Sequence, residues 1–135
     1  MLLINLHDIG NITIAKEILQ KNSPLSPQEW EFIKKHPENG YRIARAIDSF
    51  AHIADAILAH HEKWDGSGYP YGLKGNNIPL LSRILAAADA CEVMSSGRPY
   101  KKKMSRKDIA AELEKESGKH FDPEVAEVVR VILND

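Results

Sequence analysis

The amino-acid sequence predicts an all-α protein, a bundle of about seven to eight helices. No segment shows the strict alternation of apolar and polar residues that marks a half-buried strand. Apolar residues instead recur at the spacing of helix faces in several segments. Helix starts are indicated by Ser26-Pro27, by Ser105 followed by Asp108, and by Asp122-Pro123. Together these observations favour helix packed on helix.

The first half of the chain begins with an apolar helix end over residues 1–7, in which Leu2, Leu3, Ile4 and Leu6 make almost every side apolar. Such a segment normally lies inside a bundle, so we expect a homodimer, or an upstream or partner segment, to cover Met1–Leu6. A short helix is predicted over Ala15–Gln20. The sequence Ser26-Pro27-Gln28-Glu29 has the form of a capping box and predicts the start of the next helix.

Two further helices are predicted before a long loop. One runs from Pro37 to Ile47, and His36 lies at the break before it, because the residue preceding a proline is disfavoured in the helical conformation. The other covers Phe50–Lys63. Residues 65–79 then form a glycine-rich loop, and a loop of this length in a small domain is more often functional than not.

The second half contains three predicted helices, over Pro79–Ser95, from Ser105 to about Ser117, and from Asp122-Pro123 onward. Their spacing assigns a set of apolar residues to the core, namely Leu81, Ile84, Leu85, Ala88, Met94, Val125, Val128, Val129 and Ile132. We expect these side chains to face the core.

Composition limits the class of protein. With 135 residues, of which 43% are hydrophobic and 27% charged, the chain fits one soluble domain. A net charge of −1 argues against binding of a nucleic-acid polymer but allows a small anionic ligand. The single cysteine, Cys91, favours a reducing cytoplasm, and the sequence shows no signal peptide and no apolar run of membrane-spanning length. We therefore predict a cytoplasmic protein without a membrane partner.

Two adjacent histidines, His60 and His61, indicate either a metal site or a polar helix end. Neighbours on a helix point about 100° apart, so both imidazoles reach one object only if it lies between them, as a cluster of ions would. The alternative is a pair of surface histidines favoured by the negative end of the helix dipole. The pair alone does not decide between these.

Three other places in the chain offer metal ligands: His7-Asp8, His36 and Asp89. His7-Asp8 could also end one helix and cap the next, and His36 could be a basic residue at a helix C-terminus. Asp89 lies in an alanine-rich stretch, so we expect its carboxylate to be buried and to need a partner such as a metal ion. Imidazoles with carboxylates suit iron, manganese or zinc, and the absence of a cysteine pair argues against a structural zinc site.

The motifs HDIGN, KHP, HHEKWDGSGYP, IPLLSRILAAADA and SSGRPYKK, in this order, resemble the HD-GYP branch of the HD metal-dependent phosphohydrolases. The resemblance extends from about Leu6 to about Glu124. It implies one domain over residues 1–135, a helical bundle of the HD-domain type without the helices that usually come first. It also implies a cyclic di-GMP phosphodiesterase, which forms pGpG or GMP through a metal-activated hydroxide.

The resemblance also implies roles for individual residues. Two or three divalent ions, iron or manganese before zinc, would be held by His7, Asp8, His36, His60, His61 and Asp89. Asp8 and Asn11 match the catalytic positions, and Arg98 and Lys101 match residues that hold the substrate phosphates, although residues 98–103 alone read as a solvated basic loop. We expect Asp65 and Tyr69 to line the substrate pocket, with Tyr69 or Trp64 near a guanine. His52 is expected beside the site or in the core, and His120 at the surface.

Three departures from the sequence pattern of this branch leave open whether this chain is an active enzyme. Asn11 stands where a lysine is usual, and losing one such charge from a dry site can cost on the order of 10²–10³ in rate. Glu92 stands where an aspartate is usual, and the first helices of the branch are missing. Two alternatives therefore stay open: a weakened binding or interaction module in signalling, and a phosphohydrolase acting on another nucleotide.

Overall fold

The computed structural model describes residues 2–96 and 102–134, and it confirms the all-α fold class. The α-helices in this part of the chain are α1 (Leu2–Leu6), α2 (Lys16–Leu19), α3 (Pro27–Ile33), α4 (His36–Arg45), α5 (Ala54–Leu58), α6 (Leu80–Ser96), α7 (Arg106–Lys115) and α8 (Pro123–Asn134). Three 3₁₀ segments cover Ile9–Thr13, Asp48–Ile53 and Gly75–Asn77. Among the described residues, β pairing is limited to an isolated bridge between Ser117 and Phe121.

The predicted helix starts are confirmed by their hydrogen bonds. The Ser26 Oγ accepts from the Glu29 amide at 3.2 Å, and the Glu29 carboxylate accepts from the Ser26 amide at 2.6 Å, which completes the capping box of α3. The Ser105 Oγ accepts from the Asp108 amide at 3.2 Å at the start of α7. Before α8, Asp122 accepts from the Glu124 amide at 2.8 Å, and its second oxygen binds Arg83 of α6 at 2.6 Å. This buried ion pair ties α6 to the start of α8.

The prediction of one continuous helix over Phe50–Lys63 is wrong. The chain runs through the 3₁₀ segment Asp48–Ile53 into α5, and α5 ends at Leu58. The His60 ring nitrogen Nδ1 lies 2.6 Å from the Ile57 carbonyl oxygen, which a continuing helix would offer to the His61 amide. The histidine side chain therefore competes for the carbonyl that would continue the helix, and His60 and His61 lie in a turn.

Two apolar cores hold the two halves of the chain. The first contains the buried residues Ala44, Ile53, Ala54 and Ile57, with Leu3, Leu6, Tyr41 and Phe50 packed on them. The second contains Ala87, Ile109, Leu113, Phe121, Val125 and Ala126, with Met94, Met104, Val129 and Leu133 among its partly buried neighbours. Among the described residues, the first core has four buried members, two of them alanines, whereas the second has six and joins α6, α7 and α8.

Part of the predicted core is exposed. Leu81 and Ile84 of α6 and Val128 and Ile132 of α8 keep between 43% and 62% of their surface accessible. Ile84, Val128 and Ile132 line an open groove between α6 and α8, so helical spacing correctly identified an apolar face but not what covers it. Leu2 and Ile4 of α1 are also exposed.

Two glycines bring the 3₁₀ segment Ile9–Thr13 directly onto α4. A Cβ atom on Gly10 would overlap the carbonyl oxygen of His36, and one on Gly40 would lie 2.8 Å from the Ile57 side chain. Only glycine permits this approach of two backbones. The contact carries Asp8, just before the 3₁₀ segment, to the first residue of α4, which is His36.

No helix in the described ranges combines the length and apolar character that crossing a bilayer requires.

Candidate metal centre

Asp8, His36, His60 and His61 converge on one point. Each offers one ligand atom, and these four atoms all lie within 4.8 Å of one another. The His36 Nε2 is 3.2 Å from the His60 Nε2 and 3.1 Å from the His61 Nε2. The Asp8 Oδ1 lies 3.3 Å from the His36 Nε2 and 3.6 Å from the His60 Nε2. The ligands come from the residue before a 3₁₀ segment, the start of α4 and the turn after α5.

Three histidines are oriented by the same local contact. The Nδ1 atoms of His7, His36 and His60 lie 2.6–2.8 Å from the carbonyl oxygens of Ile4, Ile33 and Ile57, three residues earlier in each case. A proton on Nδ1 satisfies each carbonyl at the end of a short helix. That tautomer leaves the lone pair of Nε2 free, which is how proteins orient histidines that bind metals.

The donor set fits a divalent metal ion. In these tautomers the His36 and His60 Nε2 atoms, 3.2 Å apart, both present lone pairs, which repel unless a cation lies between them. A tetrahedral ion with bonds of about 2.0–2.1 Å separates its nitrogen ligands by about 3.4 Å. Four of the six separations in the cluster, at 3.1–3.6 Å, agree with that geometry. His36 and His60 are also almost fully buried, so an ion would be shielded from water on their side.

The electrostatics of the cluster favour the protonation states that bind metal. When their Nε2 atoms carry a proton, His36 and His60 donate hydrogen bonds to Asp8 and, with a smaller contribution from the charge of His7, hold the pKa of Asp8 far below its usual range. Burial, followed by the neighbouring His60 and His36, lowers the pKa of His61 to about 3. At neutral pH, Asp8 is therefore ionised and His61 is neutral, as ligands must be.

His7 lies at the edge of this cluster. Its ring packs edge-on against His60 with centroids 5.3 Å apart, and its Nε2 is 3.5 Å from the second carboxylate oxygen of Asp8. It also lines a cavity of about 410 Å³ together with Asp89 and Glu92 of α6 and Ile4 of α1. The predicted ligands His7 and Asp89 thus face one cavity beside the four-residue cluster.

The expected burial of Asp89 is wrong, because its side chain is exposed. Ala87, which is fully buried, faces the second core, and a residue two positions further lies about 200° around the helix. Asp89 therefore points away from that core, toward the cavity it shares with His7. The cost of burying a carboxylate therefore gives no reason to expect a metal ion at Asp89, and the role of Asp89 as a ligand stays a prediction.

The tyrosine of the loop faces a histidine. The Tyr69 ring stacks on the His61 ring with centroids 4.9 Å apart and an angle of 22°, and its amide donates to the His61 carbonyl at 3.2 Å. Burial, aided by the charge of Asp8, raises the pKa of the Tyr69 hydroxyl to about 12. One ring face that was expected near a guanine is therefore occupied by His61.

The remaining predicted site residues lie apart from the cluster or outside the described residues. Asp65 is exposed, and its carboxylate accepts from the Ser67 amide at 2.9 Å, which stabilises a turn. Hydrogen bonds from the Ser67 hydroxyl and then from the Ser67 amide lower the pKa of Asp65. Asn11 lies one turn after Asp8 in the 3₁₀ segment, and its backbone N–H donates to the Asp8 carbonyl oxygen at 2.9 Å. Arg98 and Lys101 lie outside the described residues.

The two histidines that were not predicted as ligands, His52 and His120, differ from the predictions in how deeply they are buried. His52 is exposed, so the expectation of a place beside the site or in the core is wrong. His120 is half-buried rather than at the surface, because its ring stacks on the buried Phe121 with centroids 4.5 Å apart.

Glu62 is a functional candidate that sequence reasoning missed. It is buried, with 3% of its surface exposed, and its two carboxylate oxygens accept from the amides of Tyr71 at 2.7 Å and Leu73 at 3.0 Å. The available signal was a charged residue directly between two histidines and a glycine-rich loop. That signal does not distinguish a solvated glutamate from one that binds the loop.

Comparisons with known proteins show the family of the chain and agree with its fold. A family profile described as an HD domain matches residues 4–125. A cyclic di-GMP phosphodiesterase of Thermotoga maritima is 45% identical over 124 residues, which cover 90% of this chain and 34% of that protein. A 3'3'-cGAMP-specific phosphodiesterase of Vibrio cholerae is 41% identical over 126 residues, 92% of this chain and 24% of that protein. The chain thus spans between a quarter and a third of the length of these relatives.

A solved structure supports the fold. The crystal structure of a cyclic GMP-AMP-specific phosphodiesterase of Vibrio cholerae matches with a TM-score of 0.70 at 23% identity, covering 96% of this chain and 36% of that one. At this identity the likeness concerns the helical arrangement alone. The family profile covers most of the chain, and the relatives are of the kind the HD-GYP resemblance implied. The chain belongs to the HD domain family, and its HD-GYP resemblance is confirmed.

Proposed function

We propose that the chain is a metal-dependent phosphodiesterase that hydrolyses cyclic di-GMP to pGpG or GMP. The observation that carries this proposal is the convergence of Asp8, His36, His60 and His61, with an exposed carboxylate on one side and buried imidazoles on the other. A relative named a cyclic di-GMP phosphodiesterase, 45% identical over most of this chain, supports the choice of substrate.

The proposed metal centre uses the cluster and the cavity beside it. His36, His60, His61 and Asp8 would hold one ion, and His7 and Asp89 would contribute to a second across their shared cavity. Divalent ions, when bound, supply Lewis-acid activation of the phosphodiester and of the attacking water. Two or three ions, iron or manganese before zinc, agree with a set of imidazoles and carboxylates without thiolates.

The chain's own residues would orient the substrate around this centre. Arg98 and Lys101 are proposed to bind the phosphates, Arg98 through two parallel hydrogen bonds and Lys101 through its charge. Asn11, close to Asp8, can donate one hydrogen bond to a phosphate oxygen but brings no charge. Asp65 and Tyr69 remain predicted contacts of the pocket wall.

The test is hydrolysis of cyclic di-GMP by metal-loaded protein, followed by separation of the products. Protein loaded with Mn²⁺ or Fe²⁺ is expected to form pGpG or GMP, and His61→Ala is expected to abolish this. Metal-loaded protein that leaves cyclic di-GMP intact, with His61→Ala indistinguishable from the unmodified chain, contradicts the proposal.

Two alternatives rest on specific observations. The relative named 3'3'-cGAMP-specific, at 41% identity, favours a test of both cyclic dinucleotides at equal concentration. Asn11 favours a weakened enzyme that acts as a binding module in signalling. Asn11→Lys separates these readings, since a gain in hydrolysis indicates an impaired enzyme, whereas no gain together with cyclic di-GMP binding indicates a binding module.

We further propose that residues 1–135 act as one domain in the cytoplasm, where Cys91 stays a free thiol. The exposed Leu2 and Ile4 of α1 support a second copy of the chain or another segment over this helix. Sedimentation at several concentrations tests this, and a monomer that binds no hydrophobic dye contradicts it.

A further inference from the structure

His61 differs from the other histidines of the metal centre in how its ring is held. His7, His36 and His60 each place Nδ1 against a carbonyl oxygen three residues earlier. Within residues 2–96 and 102–134, no such carbonyl contacts His61, and its ring instead lies flat on Tyr69 at 4.9 Å. A ligand whose other nitrogen lacks a fixed partner needs another contact to set its orientation.

Tyr69 is itself fixed from three directions. Its amide donates to the His61 carbonyl at 3.2 Å, and its ring packs edge-on against Trp30 of α3 with centroids 6.4 Å apart. Directly before it, Gly68 lies so close to the backbone of residues 61–63 that a Cβ atom there would overlap it. The loop is therefore folded back on the histidine turn, with Tyr69 over His61.

Glu62 holds the loop against the histidine turn through hydrogen bonds. Its carboxylate is buried and accepts from the amides of Tyr71 and Leu73, two and four residues after Tyr69. A buried carboxylate that binds two amides holds a loop more firmly than neutral groups would, because charge-assisted hydrogen bonds are about twice as strong. Since Glu62 adjoins His61 in the chain, one residue fixes both the turn and the returning loop.

We infer that Glu62 and Tyr69 are positioning residues for the His61 ligand: Glu62 holds the loop, and the Tyr69 ring orients the His61 imidazole toward the cluster. This inference rests on the metal centre of the proposed function. It assigns Tyr69 to the metal ligand rather than to a guanine base, and it gives a role to the glutamate that follows the two histidines.

The first test observes the ring without metal. Imidazole ¹H–¹⁵N spectra of the metal-free chain are compared for Tyr69→Leu, Tyr69→Phe and Glu62→Gln. Glu112→Gln of α7, whose carboxylate pairs with Lys115, is the matched control. Tyr69→Leu and Glu62→Gln are expected to shift the His61 ring signals most and to cause smaller shifts in His36 and His60, whose rings lie 4.9 and 4.0 Å from that of His61. Tyr69→Phe, which keeps the aromatic ring, is expected to retain the His61 signals.

The opposite results overturn the inference. If Tyr69→Leu leaves the His61 signals unchanged, the ring is oriented by something else. If the signals of His36 and His60 shift as far as those of His61, the loop has only a general structural role. Should Tyr69→Leu fail to fold, Glu62→Gln alone decides, because glutamine keeps the size of the side chain and loses one of the two acceptors.

The second test measures affinity for Mn²⁺ by competition with a chelator. Tyr69→Leu and Glu62→Gln are expected to weaken binding by about 10–100-fold, the usual effect of removing a contact that orients a ligand, whereas Tyr69→Phe and Glu112→Gln retain it. Unchanged affinity in Tyr69→Leu overturns the inference. A chain that binds Mn²⁺ in this pattern but leaves cyclic dinucleotides intact overturns the proposed function and not the positioning roles.

Discussion

The two halves of the molecule use helices in opposite ways. The first half has helices of 4–10 residues, and all four residues of the cluster lie at or next to their ends. The second half has helices of 17, 10 and 12 residues that pack side by side around Leu113 and Phe121. A helix end leaves carbonyl groups without intrahelical partners, and in the first half imidazoles occupy three of them. Frequent helix ends thus supply the candidate metal ligands, and the first half keeps a smaller apolar core than the second.

The comparison predicts that a ligand of the first half controls metal binding. We expect His60→Ala to lose the bound ion and to lower hydrolysis by on the order of 10³ or more, because it removes a buried member of the cluster. Metal content by mass spectrometry and a cyclic di-GMP assay measure the effect. Glu112→Gln in the second half serves as the control, and full metal content in His60→Ala contradicts the assignment.

A substitution in the second core should have the reverse effect. Leu113 of α7 is fully buried in the second core, so Leu113→Ala is expected to lower the free energy of unfolding by about 2–5 kcal/mol. Its affinity for Mn²⁺ should match that of the unmodified chain. Chemical denaturation and chelator competition give the two quantities, and weakened metal binding would mean that the two halves are coupled.

Metal binding should stabilise the halves unequally. At an Mn²⁺ concentration 100 times the dissociation constant, we expect a gain of about 2.7 kcal/mol in unfolding free energy. In hydrogen exchange, the amides of α4 and α5 should gain more protection than those of α7. Equal gains in both halves would indicate that the short helices do not open by themselves, and His60→Ala, which should show no gain, is the control.

Acid should weaken the metal-free first half. The folded pKa of His61, about 3, lies below its usual value of 6.5, so the unfolded chain binds more protons than the folded chain between these values. The free energy of unfolding therefore decreases as the pH is lowered from 6.5 toward 3. The depressed pKa of Asp8 acts in the same direction, with its contribution lost at still lower pH. We expect a loss on the order of 1–3 kcal/mol from pH 7 to pH 4. Denaturation at several pH values measures it, and His61→Gln should flatten the slope; an unchanged slope contradicts the cause given.

Much of the fold was predictable because its signals are local. The capping box at Ser26, the cap at Ser105 and the Asp122-Pro123 start depend on residues within one helical turn. The end of α5 was not predictable, because it depends on a contact between the His60 side chain and a carbonyl that helical periodicity does not reveal. The exposed faces of α6 and α8 were missed because spacing identifies an apolar face but not its neighbour.

The sequence by itself determined the helical class and the ligand types, since both follow from residue identity and short spacings. It named His7, Asp8, His36, His60, His61 and Asp89 without showing how they meet. Only the tertiary structure decided that Asp8, His36, His60 and His61 form one cluster while Asp89 lies across a cavity with His7. The reason is that ligand distances depend on the packing of separate segments, here on the approach of Gly10 to α4 and on the loop that Glu62 holds against His61.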